Sequence, residues 1–119
     1  MTAEQNSDVQ QGPLAGIRVV DLTSMISGPV ATMMLADQGA DVIKVEALDG
    51  DLVRRAGATR RGSTSTFISC NRSKRALAMD LKTPEGVDAL KKLLKTADVM
   101  VQNFRPGAIE RMGFGEDVV

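Results

Sequence analysis

The side chains best suited to holding an anion lie in the middle of the chain and beside one helix start. Four arginines fall in two adjacent pairs: Arg54, Arg55, Arg60 and Arg61. Guanidinium groups match the geometry of phosphate oxygens. Lys82 stands directly before Thr83 and Pro84, a pair typical of a helix N-terminus, where free N–H groups and the helix dipole favour anions. The pattern favours an anionic ligand, with a solvated charged surface as the alternative for each single side chain.

Other candidates for chemistry are few. Asp21 and Asp80 each fall within or at the end of an apolar run and could be catalytic carboxylates, although such aspartates more often hold the following loop by hydrogen bonds. Cys70 is the single cysteine, which excludes an internal disulfide, and a lone cysteine is more often a small buried residue than a nucleophile. The chain has no histidine, so it contains no imidazole for acid–base chemistry or for metal ligation.

Charge and hydropathy narrow the class of protein. The chain carries 15 basic and 15 acidic residues, a balance that argues against a nucleic-acid partner. The charge is uneven, however, because residues 47–75 hold seven basic and two acidic residues. No apolar run approaches the roughly 20 residues of a membrane span, so we expect no membrane segment. Residues 1–12 lack the apolar core of a signal peptide and are predicted to be a disordered tail. These features predict a cytoplasmic protein.

Residues 16–46 predict the unit that positions these side chains. The expected elements are a strand over 17–22, a polar loop over 23–28, a helix over 30–38 and a strand over 41–46. Pro29 is expected at the first helical position, where its missing N–H costs nothing, and Gly39 is expected to end the helix. A strand, helix and strand joined this closely should form a right-handed crossover between parallel strands.

The rest of the chain continues the alternation. The expected elements are a long loop over 47–66 with a helical turn near 52–55, strands over 67–70, 76–81 and 98–103, a helix from Thr83, and a short helix over 108–112. Apolar strands alternating with helices predict an α/β layered sheet, whose ligands lie at the carboxyl ends of the strands. The first loop lacks the glycine pattern G-x-G-x-x-G, which argues against a conventional NAD site.

Five segments, taken in order, resemble the N-terminal part of the family III coenzyme A transferases, the family of formyl-CoA:oxalate and carnitine CoA-transferases that also includes α-methylacyl-CoA racemase. The segments are PLAGIRVVDLT (13–23), SGPVATMMLADQGADVIKVE (27–46), GDLVR (50–54), NRSKRALAMDLKTPEG (71–86) and ADVMVQNFRPGAIERMGF (97–114). The resemblance covers residues 13–119 and implies a partial, truncated Rossmann-like domain that binds coenzyme A.

The resemblance also implies site residues and partners. Nine positions match family contacts to the cofactor or acyl group: Ile26, Ser27, Met79, Lys82, Asn103, Phe104, Arg105, Arg111 and Met112. The implied substrates are an acyl-CoA and a carboxylic acid, and the implied assembly is an interlocked homodimer of the full-length protein. Ala47 follows Glu46 where family members often carry a basic residue, and Ile26 stands where oxalate-using members tend to carry glutamine, which weakens an oxalate assignment.

The catalytic aspartate of the family lies downstream of the matched region, and neither Asp98 nor Asp117 corresponds to it. The resemblance therefore implies the N-terminal part of a CoA-transferase that forms an aspartyl-CoA thioester on a residue beyond this chain. Three alternatives stay open: an acyl-CoA racemase of the same family, a non-catalytic CoA- or nucleotide-binding module, and a truncated chain without a function of its own. Transferase is preferred to racemase because of the long loop and the segment STFISCNR (65–72).

Overall fold

Parallel strands form the centre of the protein in a computed structural model, which describes residues 11–119. In chain order the elements are β1 (Arg18–Asp21), α1 (Ser27–Asp37), β2 (Asp41–Glu46), a 3₁₀ turn (Leu52–Arg55), β3 (Thr59–Arg60), β4 (Ser63–Thr64), α2 (Ser65–Cys70), β5 (Arg75–Ala78), α3 (Pro84–Leu94), β6 (Val99–Val101) and α4 (Ala108–Arg111). Apart from residues 11 and 12, the predicted N-terminal tail lies outside the described residues.

The main sheet has the strand order β5-β2-β1-β6, and all of its pairings are parallel. Val20 of β1 stands opposite Ile43 of β2 and Met100 of β6. Parallel strands need crossover connections that cover the sheet faces, and α1 and α3 supply them. The expected α/β layered fold is confirmed.

Alternate residues of the central strands point into two apolar clusters, one on each face of the sheet. Val20 packs in a cluster with Leu90 of α3 and Ile109 of α4. Val19 packs on the other face with Ala36 of α1. Val19 and Val20 are almost completely buried, so β1 is covered on both sides, as expected for a central parallel strand.

Helix α1 begins earlier than the sequence predicts. It starts at Ser27, so Pro29 is its third residue rather than its first. The N–H of Val30 donates to the carbonyl oxygen of Ile26 at 2.9 Å, which closes the first helical turn. Pro29 is accommodated because the N–H groups of the first turn have no partner within the helix.

The expected strand over residues 67–70 is wrong, because residues Ser65–Cys70 form helix α2. Thr64 caps this helix, its Oγ1 accepting a hydrogen bond from the N–H of Phe67 at 3.1 Å. The amide of Asn71 donates to the carbonyl oxygen of Phe67 at the other end. Local capping therefore outweighs the strand preference of Phe67 and Ile68.

The long segment after β2 is ordered rather than structureless. The predicted helical turn forms over Leu52–Arg55, and β3 and β4 make a short antiparallel hairpin. Arg61 and Gly62 in its turn both have positive φ, 53° and 78°, as the favoured two-residue hairpin turn requires. The segment thus contains a helical turn, a hairpin and helix α2 before β5 begins.

Helix α3 starts as the sequence predicts. Pro84 is its first residue, and Thr83 Oγ1 accepts from the N–H of Gly86 at 3.1 Å. Leu90 on its apolar face is fully buried. Within residues 11–119, no helix combines the length and the apolar character that a membrane crossing requires.

Candidate functional site

A cleft of about 380 Å³ opens at the carboxyl ends of β1, β2 and β5. Its apolar wall includes Leu22, Val45, Leu52, Leu81 and Phe104, and its polar wall includes Thr23, Ser24, Glu46, Asp51, Asp80 and Lys82. The cleft lies where ligands bind in open parallel sheets, and its volume is within the range of small-molecule sites.

Lys82 is the one cationic side chain that the described residues contribute to this lining. Its backbone N–H donates to Asp80 Oδ1 at 2.9 Å, and Thr83 Oγ1 donates to the carbonyl oxygen of Asp80 at 2.9 Å. Asp80 therefore holds the turn into α3, as the commoner of its two expected roles predicts. The turn fixes where the Lys82 backbone lies and leaves its side chain exposed.

Four of the nine predicted site residues line this cleft together: Met79, Lys82, Phe104 and Met112. Met79 and Met112 also pack against the apolar cluster around Val20, so the same side chains touch the core and the cleft. Phe104 is 37% exposed, and its N–H donates to Gln102 Oε1 at 2.9 Å. The cleft consequently has an apolar floor and an accessible aromatic edge.

The other five predicted residues do not line the cleft. Ile26 and Ser27 are exposed at the start of α1, where Ile26 is the N-cap residue and no side chain caps the helix. Arg105 is exposed in the turn after β6, and the Arg111 side chain lies over Gly107.

Asn103 is the fifth, and its amide is engaged with the loop that follows β1. Asn103 Oδ1 accepts from the N–H of Ser24 at 3.1 Å, and Asn103 Nδ2 donates to the carbonyl oxygen of Ser24 at 3.0 Å. These two bonds join the end of β6 to the end of β1. Asn103 therefore holds a neighbouring cleft residue, Ser24, in place.

A buried ion pair lies beneath the cleft. Lys44 Nζ donates to Asp51 Oδ2 at 2.9 Å, and both side chains are 1% exposed. Lys44 Nζ also donates to the carbonyl oxygen of Thr23 at 3.1 Å. Burial opposes ionisation of Asp51, but hydrogen bonds from Lys44 and from the N–H groups of Val53 and Met25 lower its pKa below the usual value. Asp51 is therefore held as a carboxylate.

A second pair extends the network outward. Arg54 makes a two-point contact with Glu46, with Nε to Oε2 at 2.8 Å and Nη2 to Oε1 at 2.7 Å. Its guanidinium also stacks on the Phe67 ring, 3.6 Å from the ring centre. Burial raises the pKa of Glu46, but the Arg54 contact and the Asp51 N–H more than offset this, so the pKa is lowered. Arg54 is thus committed to the fold.

A third pair joins the start of β5 to the end of β1. Lys74 Nζ donates to Asp21 Oδ2 at 2.8 Å, and their side chains are 1% and 0% exposed. Asn71 Oδ1 and the carbonyl oxygen of Pro29 also accept from Lys74 Nζ. Burial lowers the pKa of Lys74, opposed by Asp21. Asp21 also accepts from the N–H of Thr23, so it holds the following loop, the commoner role of the two expected for it.

The sequence shows which residues of this network are charged, but it does not show which of them form ion pairs with each other. Lys44 is a charged residue inside the strand DVIKVE, and a lysine in a strand buried on both faces must be paired. That signal could have identified Lys44. Nothing local in the sequence identifies Asp51 as its partner, because Asp51 lies in the segment after the strand.

The arrangement suits the binding of a ligand. An apolar cleft with one lysine at its rim suits a long molecule that has a neutral chain and an anionic end. The buried carboxylates of Asp21, Glu46 and Asp51 are each committed to a lysine or an arginine. Among the described residues, no group of three or more histidine, cysteine, aspartate or glutamate residues could hold a metal ion.

Comparison with known proteins gives this cleft its context. The family model described as CoA-transferase family III matches residues 14–119. The chain belongs to CoA-transferase family III. The resemblance stated from the sequence is thereby confirmed. The family is one of enzymes, as the CoA-transferases described next show.

Curated relatives in this CoA-transferase family are several times longer than the chain. The chain is 46% identical over 109 residues to the succinyl-CoA–L-malate CoA-transferase beta subunit of Chloroflexus aurantiacus, covering 90% of the chain and 27% of that protein. It is 43% identical over 121 residues to human succinyl-CoA:glutarate CoA-transferase, covering 98% and 28%. It is 46% identical over 107 residues to formyl-CoA:oxalate CoA-transferase of Streptomyces avermitilis, covering 87% and 26%. The chain spans about a quarter of their length.

Solved structures agree with the fold of the family III chain. A CaiB/BaiF family protein from Brucella suis superposes with a TM-score of 0.85 at 38% identity, covering 92% of this chain and 30% of that one. A hypothetical protein from Mycobacterium tuberculosis gives a TM-score of 0.84 at 38% identity, with the same two coverages.

Proposed function

We propose that the chain forms the coenzyme A-binding part of an enzyme that transfers CoA between an acyl-CoA and a carboxylic acid. The observation that carries the proposal is the cleft at the strand ends, in which Met79, Phe104 and Met112 form an apolar wall and Lys82 supplies a cation. The pantetheine arm of CoA suits the apolar wall, and its phosphates suit Lys82. Membership of a family whose named relatives are CoA-transferases supports this choice.

The proposed chemistry follows the resemblance and places the nucleophile beyond this chain. An aspartate carboxylate attacks the thioester carbonyl and expels CoA thiolate, leaving a mixed anhydride. The thiolate then attacks the aspartyl carbonyl, which releases the first carboxylate and leaves an aspartyl-CoA thioester. The acceptor carboxylate reverses these two steps, forming a new acyl-CoA and freeing the aspartate. The part proposed for the described residues is to bind CoA.

The nine predicted residues have different proposed roles. Met79, Lys82, Phe104 and Met112 would contact CoA within the cleft. Ile26 and Ser27 would meet the acyl end, since they follow the loop that contributes Thr23 and Ser24 to the cleft. Arg105 and Arg111 would approach phosphates from the exposed surface, and Asn103 would act through Ser24. Isoleucine at position 26 cannot donate a side-chain hydrogen bond, which disfavours oxalate as the acceptor.

The first test of this function measures whether Lys82 contacts a phosphate of CoA. We expect Lys82→Ala to weaken CoA binding about tenfold, the effect of losing one charge-assisted hydrogen bond. The variant should bind dephospho-CoA, which lacks the 3′-phosphate, as well as the wild type does if that phosphate is the partner. Titration calorimetry would measure both dissociation constants. Lys92→Ala, on the exposed side of α3, is the matched control and should bind both ligands normally.

The transfer chemistry needs a separate measurement. The protein, at the length its source cell produces, would be incubated with an acyl-CoA and its intact mass determined. The expected result is a species heavier by one CoA thioester, mapped by peptide analysis to an aspartate outside these 119 residues. A protein that binds CoA but never acquires the adduct would instead support one of two alternatives, an acyl-CoA racemase or a non-catalytic CoA-binding module.

Two features of the whole protein are proposed on other grounds than the cleft, the assembly on the resemblance and the location on the composition of the sequence. We infer an interlocked homodimer, and light scattering coupled to size-exclusion chromatography would give its mass. We also infer a cytoplasmic location, which fractionation of the source cell would check.

A further inference from the structure

The loop between β1 and α1 adopts an unfavourable backbone conformation at one residue. We refer to residues 23–26 as the first loop. Met25 within it has a φ of 73°, a left-handed conformation that a residue with a Cβ atom seldom adopts. Met25 is 40% exposed, so packing of its side chain does not account for the conformation. Backbone contacts must hold it.

Three side chains from three other parts of the chain hold the first loop by hydrogen bonds. Asp51 Oδ1 accepts from the N–H of Met25 at 3.0 Å. The Asn103 amide makes both of its bonds to the backbone of Ser24. Lys44 Nζ donates to the carbonyl oxygen of Thr23 at 3.1 Å. Three successive residues are thus held from β2, from the segment after it and from the segment after β6.

Asp51 is itself fixed from all sides, which makes it a rigid acceptor. Its Oδ2 is held by Lys44, and its Oδ1 also accepts from the N–H of Val53 at 3.0 Å. Its own N–H donates to Glu46 Oε2 at 2.8 Å. A carboxylate with both oxygens engaged cannot turn away from Met25 without breaking other bonds in a buried site. The hydrogen bond from the Met25 N–H to this fixed carboxylate therefore offsets the free-energy cost of the positive φ.

We propose that Asp51, with Asn103, is a positioning residue that holds the first loop in this strained conformation so that it forms the cleft wall. Thr23 and Ser24 line the cleft, and Ile26 follows Met25 directly. A relaxed Met25 would turn the chain differently between Ser24 and Ile26 and would move both residues relative to the cleft. This inference rests on the proposed binding of CoA in the cleft.

The decisive variants change the backbone preference of Met25 and leave the buried network intact. Met25→Val introduces a β-branched residue, which tolerates a positive φ poorly, whereas Met25→Leu has the same unbranched Cβ as methionine and is the matched control. We expect Met25→Val to raise the dissociation constant for CoA about tenfold. We expect Met25→Leu to stay within about twofold of the wild type. Equal dissociation constants for the two variants would overturn the proposal.

A rescue experiment tests Asp51 directly. Asp51→Asn has one acceptor oxygen for contacts that now use two, so either Lys44 or Met25 loses its partner. We expect weaker CoA binding and faster hydrogen exchange at the Met25 N–H. Adding Met25→Gly should restore most of the binding, because glycine adopts a φ near 73° without strain. Loss of binding that glycine does not restore would overturn the positioning role of Asp51. If Asp51→Asn does not fold, the two Met25 variants decide alone.

Failure of this inference is distinguishable from failure of the proposed function. A folded wild-type protein that does not bind CoA would overturn both. A wild type that binds CoA, together with a Met25→Val variant that binds equally well, would overturn the positioning role and leave the CoA site standing. Slow exchange of the Met25 N–H in the wild type, lost in Asp51→Asn, is the expected independent sign of the contact.

Discussion

Lys44 shows how a charge is accommodated in the interior of a parallel sheet. Its ammonium group reaches the end of β2 and finds one carboxylate and one carbonyl oxygen. Removing either partner of such a buried pair leaves an uncompensated charge, which typically costs several kcal/mol. Within residues 11–119, every buried side-chain nitrogen and oxygen has a hydrogen-bond partner. The network is therefore complete, as buried polar groups require.

Arg54 is the single residue whose contacts lead to the clearest prediction about stability. Arg54→Lys keeps the positive charge but loses the two-point contact with Glu46 and the stacking on Phe67, so we expect the free energy of unfolding to fall by about 1–2 kcal/mol. Urea denaturation followed by far-ultraviolet circular dichroism would measure it. The neighbouring Arg55→Lys is the matched control, because its pair with Asp49 is exposed and 4.0 Å long. Equal losses for the two variants would contradict a special role for Arg54.

Some single residues were predictable and others were not, for a physical reason. Thr83 and Pro84 mark the start of α3 in the sequence and in the structure, because capping depends on neighbours within a few positions. The Lys74 partner, Asp21, is 53 positions away, and no local rule connects the two. Capping and loop-holding roles can be derived from a sequence, whereas long-range ion pairs need the fold.

At the scale of elements, α2 shows where a sequence pattern misleads. Phe67 and Ile68 favour a strand by intrinsic preference, yet Thr64 and Asn71 supply hydrogen bonds at the two ends of a single helical stretch. The helix also places Phe67 under Arg54, which a strand pointing alternate side chains to opposite faces need not do. Tertiary contact thus reinforces the local caps and decides the outcome.

Helix α3 carries a prediction that reverses the usual preference. Alanine normally stabilises a helix relative to glycine by about 1 kcal/mol. At Gly86, however, an added Cβ would lie 1.8 Å from the carbonyl oxygen of Asp80. We expect Gly86→Ala to lower the free energy of unfolding by about 1–3 kcal/mol, because the turn at Asp80 must shift. Thermal or urea unfolding would measure this.

The control for Gly86 lies on the same helix. Asp88 is exposed, so Asp88→Ala should leave stability within about 0.5 kcal/mol of the wild type. A stable Gly86→Ala protein would show that the turn before α3 can move freely. Since Asp80 and Lys82 line the cleft, the Gly86 variant should also weaken CoA binding, whereas Asp88→Ala should not.

For the molecule as a whole, the carboxylates predict how stability depends on pH. The pKa values of Asp41, Glu46 and Asp51 lie below the ordinary values of 3.8 for aspartate and 4.5 for glutamate. Burial raises each pKa, but contacts with basic side chains outweigh it. These partners are Arg18 and Arg75 for Asp41, Arg54 for Glu46 and Lys44 for Asp51. The folded protein therefore binds fewer protons in acid than the unfolded chain. The three carboxylates contribute fully to the free energy of unfolding at pH values above their ordinary pKa values. That contribution is lost as the pH falls through their lower pKa values in the folded protein.

The measurement is the free energy of unfolding at a series of pH values. We expect little change from these groups above about pH 5.5 and a steady fall between about pH 5 and pH 2. A stability that stays constant down to pH 3 would show that the three carboxylates have the same pKa in the folded and unfolded states.

The architecture was largely predictable, because periodicity and length set it. The strand, helix and strand over residues 18–46 follow from apolar runs and a short crossover. The order β5-β2-β1-β6 does not follow from periodicity, since any of the buried strands could occupy the centre. The cleft position was predictable from topology, whereas its lining was only partly so, because Asn103 and Arg111 turn towards the backbone nearby.

Because β1 lies between β2 and β6, its two partner strands are synthesised at different times during translation. Val19 of β1 pairs with Val42 and with Val99, so one partner is translated soon after β1 and the other much later. Roughly fifty residues separate the end of β2 from β6, which is several seconds of synthesis at about 5–20 residues per second. Until β6 has been made, the edge of β1 that β6 covers has no partner strand, and an unpaired strand edge is a template for pairing with other chains. The same pairing that completes the sheet therefore leaves an aggregation-prone edge on the chain while it is being synthesised.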